Sequence, residues 1–194
     1  MKKILILGTG GHAKSCIDLI SRNKKFKLIG LISKSPRIVG NKILNTKIIG
    51  SDKDLKRLAK KYTNIMIGIG FVGNSKKKEL LFKKLLKLGF KIPTIISPSS
   101  SISKFSIIED GVNIFNNCII GPGAIIKKGV ILNNGSLIEH DVEIESFSHV
   151  STFCVINGGV KIKSYSFIGS GSVIKNQCVI KKNSFIKMGS RIKK

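Results

Sequence analysis

The chain contains three histidines, His12, His140 and His149. His140 is followed directly by a carboxylate, in the run Ile138-Glu139-His140-Asp141. A carboxylate beside an imidazole holds one tautomer and stabilises the imidazolium, which is what a general base near neutral pH requires. Eighteen residues further on stand Gly158 and Gly159. A glycine leaves its backbone N–H uncovered, and such a group can meet a developing oxyanion. His149 is a candidate to line the same cleft. Near the start, Gly8-Thr9-Gly10-Gly11-His12-Ala13 has the GxGxxA form of a turn that cradles phosphate at a helix N-terminus. Ser33-Lys34 stand where a carboxylate would hold the ribose of NAD, which disfavours that cofactor. Gly68-Ile69-Gly70 offers a second mouth of small residues. Together these turns point to a nucleotide or sugar-nucleotide pocket.

These groups need two kinds of scaffold. Over residues 1–95, short apolar runs alternate with longer lysine-rich segments. Strands are expected at 3–7, 27–32, 64–69 and 92–96. Helices are expected at 12–22, from Ser51 with Asp54 as its acidic cap partner, and from an Asn74 cap to Gly89. Strands alternating with helices predict a small Rossmann-like parallel-sheet domain. From Ile96 the period becomes six. All 17 positions from 96 to 192 in steps of six are Ile, Leu or Val, and the 16 positions from Ser100 to Ser190 are Ser, Val, Cys or Ala. A repeat this regular is a solenoid. The small residue and the aliphatic two later point inward from one strand, and the residues between hexads turn a corner. Two domains follow, 1–95 and 96–194. Every eighteenth residue then shares a prism face. One face carries Ile119, Leu137, Val155 and Val173; a second carries Ile131, His149, Phe167 and Phe185; a third carries Ile125, Glu143, Lys161 and Val179. An aliphatic column in water is a liability unless another chain covers it, so a homo-oligomer packed through the first face is expected.

The formal net charge is +25, but 31 lysines and only 4 arginines supply the cations, Trp is absent and Tyr occurs twice. That composition lacks the bidentate base readers and stacking aromatics of a nucleic-acid binder. A basic surface also draws in anionic small molecules. No apolar run is long enough for a membrane span or a signal-peptide core. Cys118, Cys154 and Cys178 fall in the small inward slot and Cys16 in the first helix, so they read as core fillers in a reducing, cytosolic compartment. Only two histidines lie in the solenoid, too few for a three-histidine metal site, and no metal is expected.

The segments GTGGHAKS, VILNNGSLIEHDVEIESFSHVS, GGVKI and FIGSGSVI make the chain resemble the bacterial hexapeptide-repeat sugar acetyltransferases over essentially its whole length. That family includes sialic acid O-acetyltransferases and UDP-4-amino-sugar N-acetyltransferases of bacillosamine-type pathways; the likeness is greater to the latter. The resemblance implies a left-handed parallel β-helix, a homotrimer and acetyl-CoA as co-substrate. It implies that His140 is the base, that Asp141 raises its basicity and that Asn133 lies near it. It places His149 and Gly158 at the acetyl thioester, Ser170 and Met188 along the pantetheine and adenosine path, and Gly10, Gly11 and His12 at the sugar nucleotide; Gly70, from the second small-residue turn, is expected to bind the same substrate. The family carries an acidic pair where Ser33-Lys34 stand, and a Val-Pro-Ala-Lys-like stretch that this sequence lacks. Lys187, Arg191, Lys193 and Lys194 are placed to guard the open strand edge or to meet coenzyme phosphates. The reading is an acetyl-CoA-dependent sugar N-acetyltransferase. O-acetylation of a sialic-acid-type hydroxyl and non-catalytic sugar-nucleotide binding are the alternatives.

Overall fold

The computed structural model describes residues 1–70, 72 and 75–193. Asn74, the expected cap of the third helix, and Lys194 lie outside the described residues. The chain divides into two compact units, residues 1–70 with 80–93, and residues 71–79 with 94–194.

The first unit is an α/β sheet. Strands β1 (Lys2–Leu7), β2 (Phe26–Ser33), β3 (Lys42–Ile43), β4 (Thr46–Ser51) and β5 (Asn64–Ile67) lie in the order β3-β4-β2-β1-β5. All neighbours are parallel except β3, which runs antiparallel to β4. The apolar runs that predict β1, β2 and β5 form its core: Ile4, Leu5, Ile6, Leu31, Ile32, Ile65 and Met66 are buried. Helix α1 (Gly11–Ser21) follows β1. Ser51 opens a capping box with Asp54, its N–H donating to Asp54 Oδ2 at 2.8 Å, ahead of α2 (Leu55–Ala59). Helix α3 spans Ser75–Lys87, and Gly89 follows at φ +92°.

Two expectations change here. The β3–β4 hairpin was not foreseen, because its turn is made by Leu44 (φ 43°) and Asn45 (φ 61°) rather than by the Asn-Gly type of pair that signals such a turn. The expected strand at 92–96 is split at Pro93, which has no N–H to give a ladder. Lys91 pairs with Asn64, whereas Ile95–Ile96 pairs with Asn113–Ile114 in the second unit.

The second unit is built from two-residue strands in three parallel sheets of six, five and six strands, consistent with a left-handed β-helix. Register is eighteen residues throughout: Ile119↔Leu137↔Val155↔Val173 on the first face, Ile131↔His149↔Phe167↔Phe185 on the second, Ile125↔Glu143↔Lys161↔Val179 on the third. The hexad aliphatics from Ile114 to Ile180 are buried in one continuous core. The small slot beside them does more than save space. Ser136 donates to Asn133 O at 2.6 Å, Cys118 Sγ to the same oxygen at 3.1 Å, and Cys154 Sγ to Gly169 O at 3.1 Å. A hydroxyl or thiol there satisfies a corner carbonyl that the ladder leaves over. All four cysteines are free and buried, and burial pushes the Cys118 and Cys154 thiols up. On the first face Ile119 and Val173 remain exposed and Leu137 and Val155 half-buried.

Candidate active site

His140 and Asp141 turn the corner between the first and third faces, after the strand Leu137–Ile138. Asp141 takes a left-handed conformation, φ 59°, one of the few side chains that tolerate it. Its Oδ2 lies 2.9 Å from His140 Nδ1. A carboxylate only accepts, so Nδ1 carries the proton and Nε2 keeps its lone pair. Both side chains face water, at 61% and 72% exposure.

Glycines bracket this pair along the edge of the prism. On the C-terminal side, a Cβ on Gly158 would stand 2.5 Å from His140 Nε2 and 2.6 Å from Cε1. The ring therefore rests against the Gly158 backbone, and any side chain there would displace it. On the N-terminal side, a Cβ on Gly121 would strike the His140 amide, and one on Gly123 would strike the Asp141 carboxylate. The sequence reading missed Gly121 and Gly123. Their signal was available in the offset of eighteen that had already singled out Gly158.

The Gly158 N–H is a spare donor. In each hexad the amide two places after the inward aliphatic stands outside the ladder. At four positions a side chain takes it: Glu109 Oε2 accepts from Lys128 N–H (2.9 Å), Glu145 Oε2 from Ser164 N–H (3.0 Å), Asn134 Oδ1 from Asn116 N–H (3.0 Å) and Asn133 Oδ1 from Asn134 N–H (3.0 Å); at others, such as Ser146, Thr152 and Asn176, no acceptor is described. Two of those four acceptors are carboxylates, so this position can take a negative oxygen. Among the described residues Gly158 N–H has no such acceptor.

Other candidate residues lie elsewhere on the prism. Asn133, Ser170 and Met188 follow the corner between the second and first faces, across the aliphatic column from His140. Asn133 Oδ1 accepts from Asn134 N–H at 3.0 Å. Ser170 Oγ is 2.8 Å from Ser151 Oγ, and Met188 is exposed. His149 is buried on the second face, edge-on to Phe167 at 5.2 Å between centroids. Nine residues are half a coil, so His149 stands on the side of the triangle opposite His140. Within one chain the two rings do not share a cleft.

The first unit gathers the expected small-residue turns at the carboxyl ends of its strands. Gly10 is the N-cap of α1, Gly11 and His12 are its first residues, and Gly70 packs beside His12. A Cβ on Gly8 (φ +135°) would meet Gly68 O at 2.6 Å, so the two glycine loops touch backbone to backbone. A pocket of about 170 Å³ opens there, lined by Leu7, Gly8, Thr9, Lys34, Asp52, Ile69 and Leu81. Asp52 was not foreseen. It reaches the mouth from the end of β4, where no pattern in the β2 region announces it.

Glu145 is held at about 2, first by Lys163 and then by the Ser164 hydroxyl and N–H. Glu143 pairs likewise with Lys127. Among the described residues no three His, Cys, Asp or Glu converge as a metal site, and no helix is long and apolar enough to cross a membrane.

Residues 3–85 match the PglD N-terminal domain family. Among solved structures, the acetyltransferase domain of PglB from Neisseria gonorrhoeae in complex with acetyl coenzyme A is 24% identical with a TM-score of 0.89, over 98% of this chain and 92% of that one. A mutant of perosamine N-acetyltransferase from Caulobacter crescentus, in complex with CoA and GDP-perosamine, is 20% identical with a TM-score of 0.70 over 96% and 94%. WeeI from Acinetobacter baumannii is 20% identical with a TM-score of 0.68 over 100% and 92%. Residues 3–85 are therefore similar to the PglD N-terminal domain, and the chain as a whole shares the fold of these solved structures.

Proposed function

We propose that the protein transfers the acetyl group of acetyl-CoA to the amino group of a nucleotide-linked amino sugar, with His140 as general base. The observation that carries this reading is the His140–Asp141 pair, with Nδ1 held at 2.9 Å and Nε2 against the bare backbone of Gly158. Nε2 takes a proton from the attacking amine as nitrogen bonds to the thioester carbonyl carbon. The carbonyl oxygen gains charge and is met by the Gly158 N–H. The C–S bond breaks, and the imidazolium returns its proton to the departing thiolate. The products are an amide and free coenzyme thiol, and the base is regenerated.

The acting form is a homotrimer with the aliphatic columns packed side by side. A cyclic contact of that kind sets the His140 edge of one chain against the Asn133–Ser170–Met188 edge of the next. His149 then contributes from the neighbouring chain. Ser170 and Met188 carry the coenzyme towards the C-terminal coils. Gly10, Gly11, His12 and Gly70 hold the sugar nucleotide. Support comes from the relatives of like fold, one bound to acetyl coenzyme A and one to CoA with GDP-perosamine.

The test is acetyl transfer by wild type and His140→Ala, with UDP- and GDP-linked amino sugars and sialic acid as acceptors. Loss of about 10²-fold or more in kcat on an amino sugar is expected. Turnover near wild type removes the base. Transfer to the sialic acid hydroxyl alone moves the reading to O-acetylation. Binding of sugar nucleotide without turnover makes the protein a sensor.

A further inference from the structure

Phe153 is out of place for a structural residue. It sits in the left-handed region at φ 54° and is 70% exposed. That conformation is costly for a bulky side chain, and the equivalent place in neighbouring coils is Gly135 and Gly171. Two other aromatics occupy left-handed corners, Phe147 (φ 60°) and Tyr165 (φ 62°), but they stack on each other with centroids 6.1 Å apart and Phe147 is buried. Phe153 gains no such packing. Its ring lies over Gly135, whose Cβ would come 2.5 Å from it, while nothing stands near Gly171.

Its place along the prism matters. Phe153 turns the corner before the first face, the edge across the aliphatic column from His140. It is thirteen residues past His140 in a coil of eighteen, so the two differ in height by about 3.5 Å at the usual strand spacing. Rotation about an axis parallel to the solenoid preserves height. In the trimer proposed above, the ring of one chain therefore stands within about 3.5 Å in height of the imidazole of the next. The ring also leans towards the N-terminal coils, over Gly135, whereas the proposed coenzyme positions Gly158, Ser170 and Met188 climb the other way.

We infer that Phe153 is a specificity-determining residue on the acceptor side of the neighbouring chain's His140, stacking on the apolar C–H face of the acceptor sugar. This rests on the proposed acetyltransferase reading. An aromatic plane matches the C–H face of a pyranose and tolerates its edge hydroxyls, which suits a pocket that must orient a ring without gripping the reacting amine.

The test compares wild type, Phe153→Gly and Phe153→Leu. Glycine is at home at this φ, so the variant folds; leucine keeps apolar bulk without the ring. Binding of GDP-perosamine, a UDP-linked 4-amino sugar and the free nucleotides is measured, with the native mass and the KM values for acceptor and acetyl-CoA. The expected result is about fivefold weaker binding of sugar nucleotide, unchanged binding of free nucleotide, a matching rise in acceptor KM, and unchanged mass and acetyl-CoA KM. Unchanged sugar-nucleotide binding in a wild type that does transfer acetyl overturns this inference alone. A raised acetyl-CoA KM, or a fall in mass, overturns it in favour of a coenzyme or interface contact. A wild type that binds no sugar nucleotide overturns it together with the function on which it rests.

Discussion

Replacing Gly158 with alanine separates catalysis from folding. Gly158 is not among the glycines at positive φ, so its backbone accepts a Cβ. The collision is with the imidazole: the new carbon would stand 2.5 Å from Nε2, 2.6 Å from Cε1 and 3.1 Å from Cδ2. To restore ordinary contact the ring must retreat by about 1 Å, and a displacement of that size costs on the order of 10²-fold in a positioned reaction. His140 is 61% exposed, so it can move into water, and the stability cost stays within about 0.5 kcal/mol, as at other surface sites. The assay is release of free coenzyme thiol under saturating acceptor, beside a thermal unfolding curve. A kcat reduced about 100-fold with Tm almost unchanged is expected. The Gly158→Ala/His140→Ala double variant should lose little beyond the His140→Ala single variant, because both disable one group. Wild-type kcat in Gly158→Ala, or losses that add in full, would refute the placement of the base.

Two further outcomes test the scaffold. Glu145 ionises at about 2 in the fold against an ordinary 4.5. Its contribution is thus present above about pH 4.5 and lost as pH falls towards 2. Glu145→Gln should cost about 1 kcal/mol at pH 7, in a gap that closes between those limits in urea unfolding; a gap independent of pH would mean that the ion pair contributes nothing. Val155→Lys places a charge in the middle of the aliphatic column and should convert the assembly to monomer by light scattering, with loss of transfer but a retained circular dichroism spectrum. Unchanged mass would show that the first face is not the contact.

The solenoid was legible because each hexad is a complete local unit. An inward aliphatic, a small inward donor and a corner recur without insertion, so the period alone sets which residues share a face, and the observed register of eighteen follows. The first unit was legible only where its strands are apolar. The β3–β4 hairpin escaped because Leu44-Asn45 is not a pair that advertises its turn, and Pro93 divided what read as one strand. At the site, His140, Asp141 and Gly158 could be read because adjacency and an offset of eighteen are both written in sequence. Asp52 could not, since it comes to line the same pocket as Lys34 through the order of strands rather than through spacing. His149 was read as a neighbour of His140, but half a coil carries it to the far side of the triangle, a separation that follows from three-fold geometry and not from distance along the chain.

The corners of this one solenoid differ in how they treat their backbone amides. The hexads leave amides outside the ladder at their corners, and a side chain satisfies some of them. At the corner between the third and second faces the chain does so with Glu109 and Glu145, and strengthens the result with Lys163. At the corner before the first face it uses an asparagine ladder, Asn134 onto Asn116. Beside His140 it does neither: Gly158 stands one coil above, Gly121 and Gly123 flank Pro122 one coil below, and the amide next to Nε2 is left without a described acceptor. A donor without a described acceptor, set against an imidazole whose tautomer is fixed by its own carboxylate, is the arrangement that the proposed acetyl transfer would use for the oxygen that gains charge.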